Sequence, residues 1–423
     1  MTVLTALVLL ASACGGGRDD DEGSGGDDDE DTEEGGPPAE GPGFDGETIR
    51  LGVITPTSGR VAVIGEPLTN GNRAYWEYVN EELGGVAGEY PVELVIEDSA
   101  YDPPVAVQKY NQIKGDVVMF NQLLGTPVVN AVLEQLKTDN IVAQPATLDS
   151  FWVREQNLLP IGAPYQIQAM NGLDWYVNEG GGSEESAICS LVQDDPYGEA
   201  GQEGVDFALE QLGIELADSA SFTVGNSDFT TQIQQLQGSG CEAVWLTSTP
   251  TDTGTALGKA AELGFAPVWL GQSPSWIGAF VESPLMPYLE ANYVWVSEGP
   301  EYGDESVEGM SELIRIQETY APDQVPDTYF NFGYLESRAV HLVLEEAVAN
   351  GDLSREGIVE AMNSIDELTF DGLFGDYGWG APEDRDPPRA SSIFRPNAEK
   401  PIGLELVLAE HEAPFAPDFE FGE

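Results

Sequence analysis

The chain has 423 residues, 41% of them hydrophobic and 9% aromatic, enough to bury a core in each of two domains. Sixteen Lys and Arg stand against 75 Asp and Glu, a net charge of −59. A surface of that sign repels nucleic acid and anionic lipid headgroups and excludes both as partners. Dense carboxylates with so little lysine point to a saline, halophilic setting, where charges are screened within a few Å.

The first element is Leu7-Val8-Leu9-Leu10-Ala11-Ser12-Ala13, an apolar run that ends in small residues directly before Cys14. It is too short to span a bilayer and has the form of a secretory signal with its cleavage site. It resembles a bacterial lipoprotein signal, although Ala11 stands where leucine is usual and no basic residue precedes the run. That resemblance implies lipidation at Cys14 and anchoring to the outer face of the cytoplasmic membrane. The Gly, Asp, Glu and Pro tract that follows, 15–46, has too little apolar surface to fold and reads as a tether.

From Glu47 strand-like and helix-like stretches alternate. "TIRLGVITP" reads as a strand, "GNRAYWEYVNEELGG" as a helix, "YPVELVIEDS" as a strand and "DPPVAVQKYNQIK" as a helix. "DVVMFNQLLGTP", "VVNAVLEQLKTDN" and "IVAQPAT" continue the rhythm. It restarts after Tyr165 and runs through "SAICSLVQDD", "CEAVWLTST", "PVWLGQS" and "ANYVWVSEG". Two helical stretches and an extended, turn-rich end follow. Alternation of this kind predicts parallel sheets with helices on both faces, and in such sheets a ligand sits at the carboxyl ends of the strands.

Enzymatic chemistry finds no support. The two histidines, His341 and His411, belong to no nucleophile or metal pattern, and there is no G-x-S-x-G elbow or phosphate loop. No metal or cofactor is expected.

The order of "LGVITPTSG", "LGTP", "QPAT", "QDDPYGE" and "WLTSTPTDTG" at strand ends resembles the type I periplasmic-binding-protein fold. Within it, the chain is most similar to the leucine/isoleucine/valine-binding receptors of ABC transporters. The resemblance implies an α/β architecture of two doubly wound parallel-sheet lobes, joined by three crossovers around a ligand cleft. The expected boundaries are 47–165 with 298–370 for the first lobe and 166–297 with 371–423 for the second. It further implies a monomeric, extracytoplasmic binding protein that serves a membrane ABC permease, touches the membrane only through its lipid, and takes a branched-chain-amino-acid-like or related small polar ligand. A sensor of the same fold that feeds a signalling partner is the alternative.

Candidate ligand contacts follow residue by residue. Gly125 and Thr126 in "LLGTP" pair backbone access with a hydroxyl at a helix N-terminus, and Ala146 and Thr147 in "QPAT" repeat the arrangement. Tyr197 matches the family's covering tyrosine, and Thr249 falls where a second one stands. Ser273, with Trp276 nearby, occupies the place of a glutamate that pairs with the ligand's ammonium. So either Asp149, Asp194 or Asp252 substitutes, or the ligand has no free ammonium. Arg60 reads as a carboxylate clamp or a surface ion pair, in a loop that carries Ile64 where an aromatic is usual.

Cys189 and Cys241 fall on the first strand of the second lobe and at the start of its third. These are neighbours in a doubly wound order, about 4.8 Å apart. An oxidising compartment permits a disulfide at that spacing; two buried thiols are the other reading.

Overall fold

The computed structural model describes Pro38 and residues 41–422 apart from Glu301, Pro326 and Pro401. Cys14 and most of the 15–46 tract lie outside the described residues. Four β-branched or apolar runs form a parallel sheet in the order β2-β1-β3-β4. They are β1 (Ile49–Thr55), β2 (Val92–Asp98), β3 (Met119–Leu124) and β4 (Ala143–Ala146). Helices α1 (Ala62–Tyr78), α2 (Pro103–Ile113) and α3 (Thr126–Asp139) connect them. Because strand side chains alternate in direction, Ile54, Phe120 and Leu123 pack with α2 and α3 on one face. Leu51, Met119 and Leu124 pack with α1 on the other.

Helix α1 starts nine residues before the stretch read from sequence, because Pro67 lies inside it. Proline in a helix interior reads as a stop signal, and here the helix passes through it. The N-termini of α2 and α3 differ. Asp102 caps α2 by accepting from the Val105 N–H at 3.1 Å, whereas Gly125 precedes α3 with no side-chain cap.

The second lobe begins with α4 (Tyr165–Asn178), followed by β5 (Ile188–Gln193), α5 (Pro196–Leu212) and β6 (Asp218–Phe222). Then come α6 (Thr230–Gly238), β7 (Ala243–Thr247), α7 (Pro250–Leu263), β8 (Val268–Gly271), α8 (Met286–Asn292) and β9 (Tyr293–Ser297). The chain returns to the first lobe as α9 (Met310–Tyr320), α10 (Thr328–Ala349) and α11 (Arg355–Ser364). It crosses a third time into β10 (Ser391–Pro396) and β11 (Leu404–His411). These two strands extend the second sheet to seven, ordered β11-β10-β9-β8-β7-β5-β6. β10 pairs antiparallel with β9 and β11 antiparallel with β10, while the remaining pairings are parallel. Between the last two crossings, Leu373, Phe374, Tyr377 and Trp379 remain in the first lobe's core, and the Trp379 indole donates to the Pro160 carbonyl at 2.7 Å.

Two glycines seat α10 on α1. A Cβ at Gly71 would lie 2.3 Å from the Phe330 carbonyl oxygen, and one at Gly333 would lie 1.9 Å from that of Leu68. No side chain fits there, so the backbones touch. His341 on α10 packs against the edges of Tyr75 and Trp76 and bonds the Tyr75 hydroxyl at 2.9 Å, a structural position. In the second lobe Cys189 and Cys241 form a disulfide with Cα atoms 5.8 Å apart. The β5–β7 pairing sets Cys189 beside Val244, within reach of the residue that leads into β7. No helix among the described residues is long and apolar enough to cross a membrane.

Candidate functional site

The carboxyl ends of both sheets open onto one cavity. The first lobe contributes Ile64 and Leu68 of α1, Tyr101 after β2, and the ends of β3 and β4. The second contributes Tyr165, Tyr197, Thr249, Ser273, Trp295 and Glu298, and α10 adds Thr328, Tyr329 and Phe332. Most of this wall is apolar or aromatic, so polar groups are few and each has a defined task.

The first polar set lies where β3 turns into α3. Gly125 adopts φ +105°, which leaves room for the Tyr101 ring: a Cβ there would be 2.4 Å from it. With Gly125 in the capping place, the Thr126 hydroxyl is released from the helix and bonds Thr147 at 2.7 Å. Thr147 donates on to the Tyr165 phenol at 3.3 Å. In that direction the phenol hydrogen of Tyr165 is left for a ligand. A helix N-terminus and a chain of hydroxyls together favour an anionic head.

The second set faces it from the other lobe. Asp195 caps α5 by accepting from the Tyr197 and Gly198 N–H groups at 3.0 and 3.2 Å, which fixes the Tyr197 ring edge-on to Tyr165 with centroids 4.9 Å apart. The Thr249 N–H is held by the Gln193 side chain at 3.2 Å, while its hydroxyl is buried with no partner among the described residues. A buried hydroxyl left in this way is costly unless a ligand or water completes it. The Ser273 N–H donates to the Gln168 side-chain oxygen at 3.1 Å, and its carbonyl accepts from the Trp295 indole at 2.9 Å.

Glu298, one residue past β9, is the only ionisable acidic or basic side chain lining the cavity among the described residues. Burial pushes its carboxyl above the usual range; its own N–H and the Ser273 hydroxyl pull it back in part. Gln168 lies 3.5 Å from one of its oxygens. A carboxylate in such a wall is expensive to ionise without a cation beside it.

Of the residues read from sequence, Gly125, Thr126, Ala146, Thr147, Tyr197, Thr249 and Ser273 line the cavity together. Trp276 and Arg60 do not. The short helical turn over Ser273–Ser275 sends the Trp276 side chain back into the second lobe, against Tyr293 and Phe280 at 5.8 and 5.4 Å between centroids. Arg60 is exposed at the rim, where its carbonyl accepts from the Thr251 hydroxyl at 3.0 Å. None of the three candidate aspartates reaches the cavity either. Asp149 is taken by the Phe151 N–H and Gln166, Asp252 binds the Gly225 N–H at 3.0 Å, and Asp194 lines a separate shallow hollow. Sequence reasoning missed Tyr101, Tyr165, Trp295, Glu298, Tyr329 and Phe332. For Glu298 the signal was present, a carboxyl at a strand end; Tyr329 and Phe332 arrive on a returning helix whose place no local pattern gives.

Among known proteins, the chain is 26% identical over 227 residues to Leu/Ile/Val-binding protein homolog 3 of Brucella melitensis, covering 53% of this chain and 60% of that one. The match thus spans about three fifths of that relative's length. A solved structure of a fatty acid ABC transporter substrate-binding protein from Thermomonospora curvata superposes with a TM-score of 0.84 at 25% identity, over 91% of this chain and 98% of that one. A branched-chain amino acid ABC transporter protein from Thermus thermophilus with bound valine shares the fold, with a TM-score of 0.76 at 15% identity, over 88% and 98% of the two chains. Residues 48–400 match the family described as periplasmic binding protein, and with its two lobes of type I topology the chain belongs to that family.

Proposed function

We propose that this is the extracytoplasmic, lipid-anchored substrate-binding component of an ABC importer, and that its ligand is a small hydrophobic amino acid. The observation that carries the ligand class is the pairing of opposites in an apolar cavity: the hydroxyl chain at the α3 N-terminus on one lobe, and the lone carboxyl of Glu298 on the other. A carboxylate suits the first and an ammonium the second, with the side chain against Leu68, Trp295 and Phe332. Glu298 thereby takes the part that Ser273 cannot.

A fatty or branched monocarboxylate is the second reading. The apolar wall and the Thermomonospora relative favour it, with Glu298 kept protonated as a hydrogen-bond donor. A thermal-shift panel of leucine, isoleucine, valine, leucinamide, 4-methylpentanoate and octanoate separates the two, because a ligand of the native state raises the melting temperature. Leucine should stabilise the protein more than 4-methylpentanoate, which lacks only the ammonium; the reverse order selects the second reading, and no shift with any of them removes both. The anchor is tested by labelled-lipid incorporation, which Cys14→Ala should abolish.

A further inference from the structure

Two of the second lobe's cavity residues, Ser273 and Glu298, share one amide that does not itself line the cavity. Gln168, on α4, is fully buried. Its side-chain oxygen accepts from the Ser273 N–H at 3.1 Å. Its nitrogen donates to the Ala163 carbonyl at 3.1 Å and lies 3.5 Å from Glu298 Oε2. The Ser273 N–H is a donor and the Ala163 carbonyl an acceptor, so the amide has one orientation, with its two N–H groups toward Ala163 and Glu298. Turned the other way, it would set its oxygen against a carbonyl and a carboxyl.

These partners come from separate pieces of chain. Ala163 lies in the first connection between the lobes, between β4 and α4, and Glu298 opens the second, between β9 and α9. Ser273 belongs to the turn after β8. Three residues further along α4, Asn171 holds the third connection. Its nitrogen donates to the Arg389 carbonyl and the Ser391 hydroxyl, both at 2.9 Å, and its oxygen accepts from the Ala413 N–H at 2.8 Å. Residues three apart share a helix face, so one face of α4 fastens all three connections. The Glu298 carboxyl thus stands on a connection, beside an amide carried by a buried helix.

We propose that Gln168 is a positioning residue for ligand recognition, which holds the Glu298 carboxyl and the Ser273 segment in one arrangement at the hinge. An amide fixed at both ends gives Glu298 a single place in an otherwise apolar wall, and a ligand group seated there meets a preorganised partner. Because that partner stands on a connection, the contact bears directly on hinge bending. Which ligand group Glu298 meets rests on the reading above; that Gln168 acts through Glu298 does not.

A double-mutant cycle on the full chain tests it, with Glu298→Gln and with Gln168→Met, which keeps the side chain's length and removes its polar atoms. L-Leucine is the probe and titration calorimetry the readout. Gln168→Met should raise Kd about tenfold in the wild-type background, and less than about twofold where residue 298 is already Gln. Asn171→Leu, which frees the third connection and touches no ligand segment, should lower the melting temperature and leave Kd unchanged. An equal loss from Gln168→Met in both backgrounds, or a like loss from Asn171→Leu, overturns the proposal, because the amide then serves the fold alone. Where Gln168→Met does not fold, Gln168→Glu replaces it in the cycle; it keeps the acceptor for the Ser273 N–H, and the same comparison decides. If the wild type binds 4-methylpentanoate and not leucine, the ammonium reading falls, and the cycle run with 4-methylpentanoate decides the positioning role by the same criterion. Binding of neither probe removes both.

Discussion

Replacing Glu298 with Gln tests the ligand assignment at its one charged contact. If the ligand carries an ammonium, the substitution removes a charge-assisted hydrogen bond of about 1.5–3 kcal/mol. It also leaves a cation in an apolar wall, a loss of about 3–5 kcal/mol for a fully buried pair. Glu298 keeps some exposure toward the cavity, so the lower end applies, about 3 kcal/mol or on the order of 100-fold in Kd. The analogue 4-methylpentanoate should lose no more than a few fold. The pH dependence carries an independent sign. Burial raises the free protein's carboxyl, and an ammonium favours its ionised form, so binding lowers its pKa and releases a proton. Affinity for leucine should then tighten as pH rises through the raised pKa and level off above it. A monocarboxylate ligand gives the opposite slope. Titration calorimetry between pH 5 and 8, in buffers of different ionisation enthalpy, reads affinity and proton release together. Binding of leucine by Glu298→Gln within threefold of the wild type, with an affinity flat in pH, would refute the reasoning.

Thr147→Ala breaks the hydroxyl chain at its middle and should weaken binding by about 1–3 kcal/mol while the melting temperature of the free protein changes little; titration calorimetry checks it. Replacing both Cys189 and Cys241 by Ala opens a loop of sequence separation 52, a loss of about 4 kcal/mol on the chain-entropy view, measurable by denaturant unfolding, and digestion without reductant should yield one linked peptide. Asp149, buried beside Glu203 and Glu199, has its carboxyl pushed from 3.8 to about 6. Its protonated form is favoured in the folded state, so its contribution is full below about pH 4 and is lost as pH rises through 6. Asp149→Asn should therefore gain on the wild type by about 2.5 kcal/mol between pH 4 and pH 7.5 in unfolding free energy; an equal difference at both pH values would contradict the assignment.

The two-lobed fold was legible because alternating strands and helices leave a period that side-chain burial enforces. The threonines at 126, 147 and 249 were legible for a related reason, since a parallel sheet puts its strand ends at the site. What escaped depended on direction or on distant chain. Trp276 lies close in sequence to Ser273, but one helical turn reverses its side chain. Tyr101 reaches the cleft only through positive φ values at Ala100 and at Tyr101 itself, which neither alanine nor tyrosine advertises. Helix α1 was cut short at Pro67, and β10 and β11 gave no sign that they would run antiparallel on the second sheet. Glu298 occupies a place the strand-end rule already named, and was missed because the substitute acid was sought at Asp149, Asp194 and Asp252.

The main-chain contact of α1 with α10 at Gly71 and Gly333 bears on how this cavity can change. Leu68 and Phe332, which line the cavity, sit on the two helices where their backbones meet. The spacing of the two helices behind Leu68 and Phe332 is thus fixed by peptide groups at Gly71 and Gly333. A methyl at either glycine would act as a wedge and tilt the pair. Adaptation to a longer or bulkier ligand has to come from the opposite walls, at Tyr101, Thr249 and Trp295, where a single substitution alters volume without shifting a helix. Libraries for altered ligand range should leave positions 71 and 333 alone and vary those three.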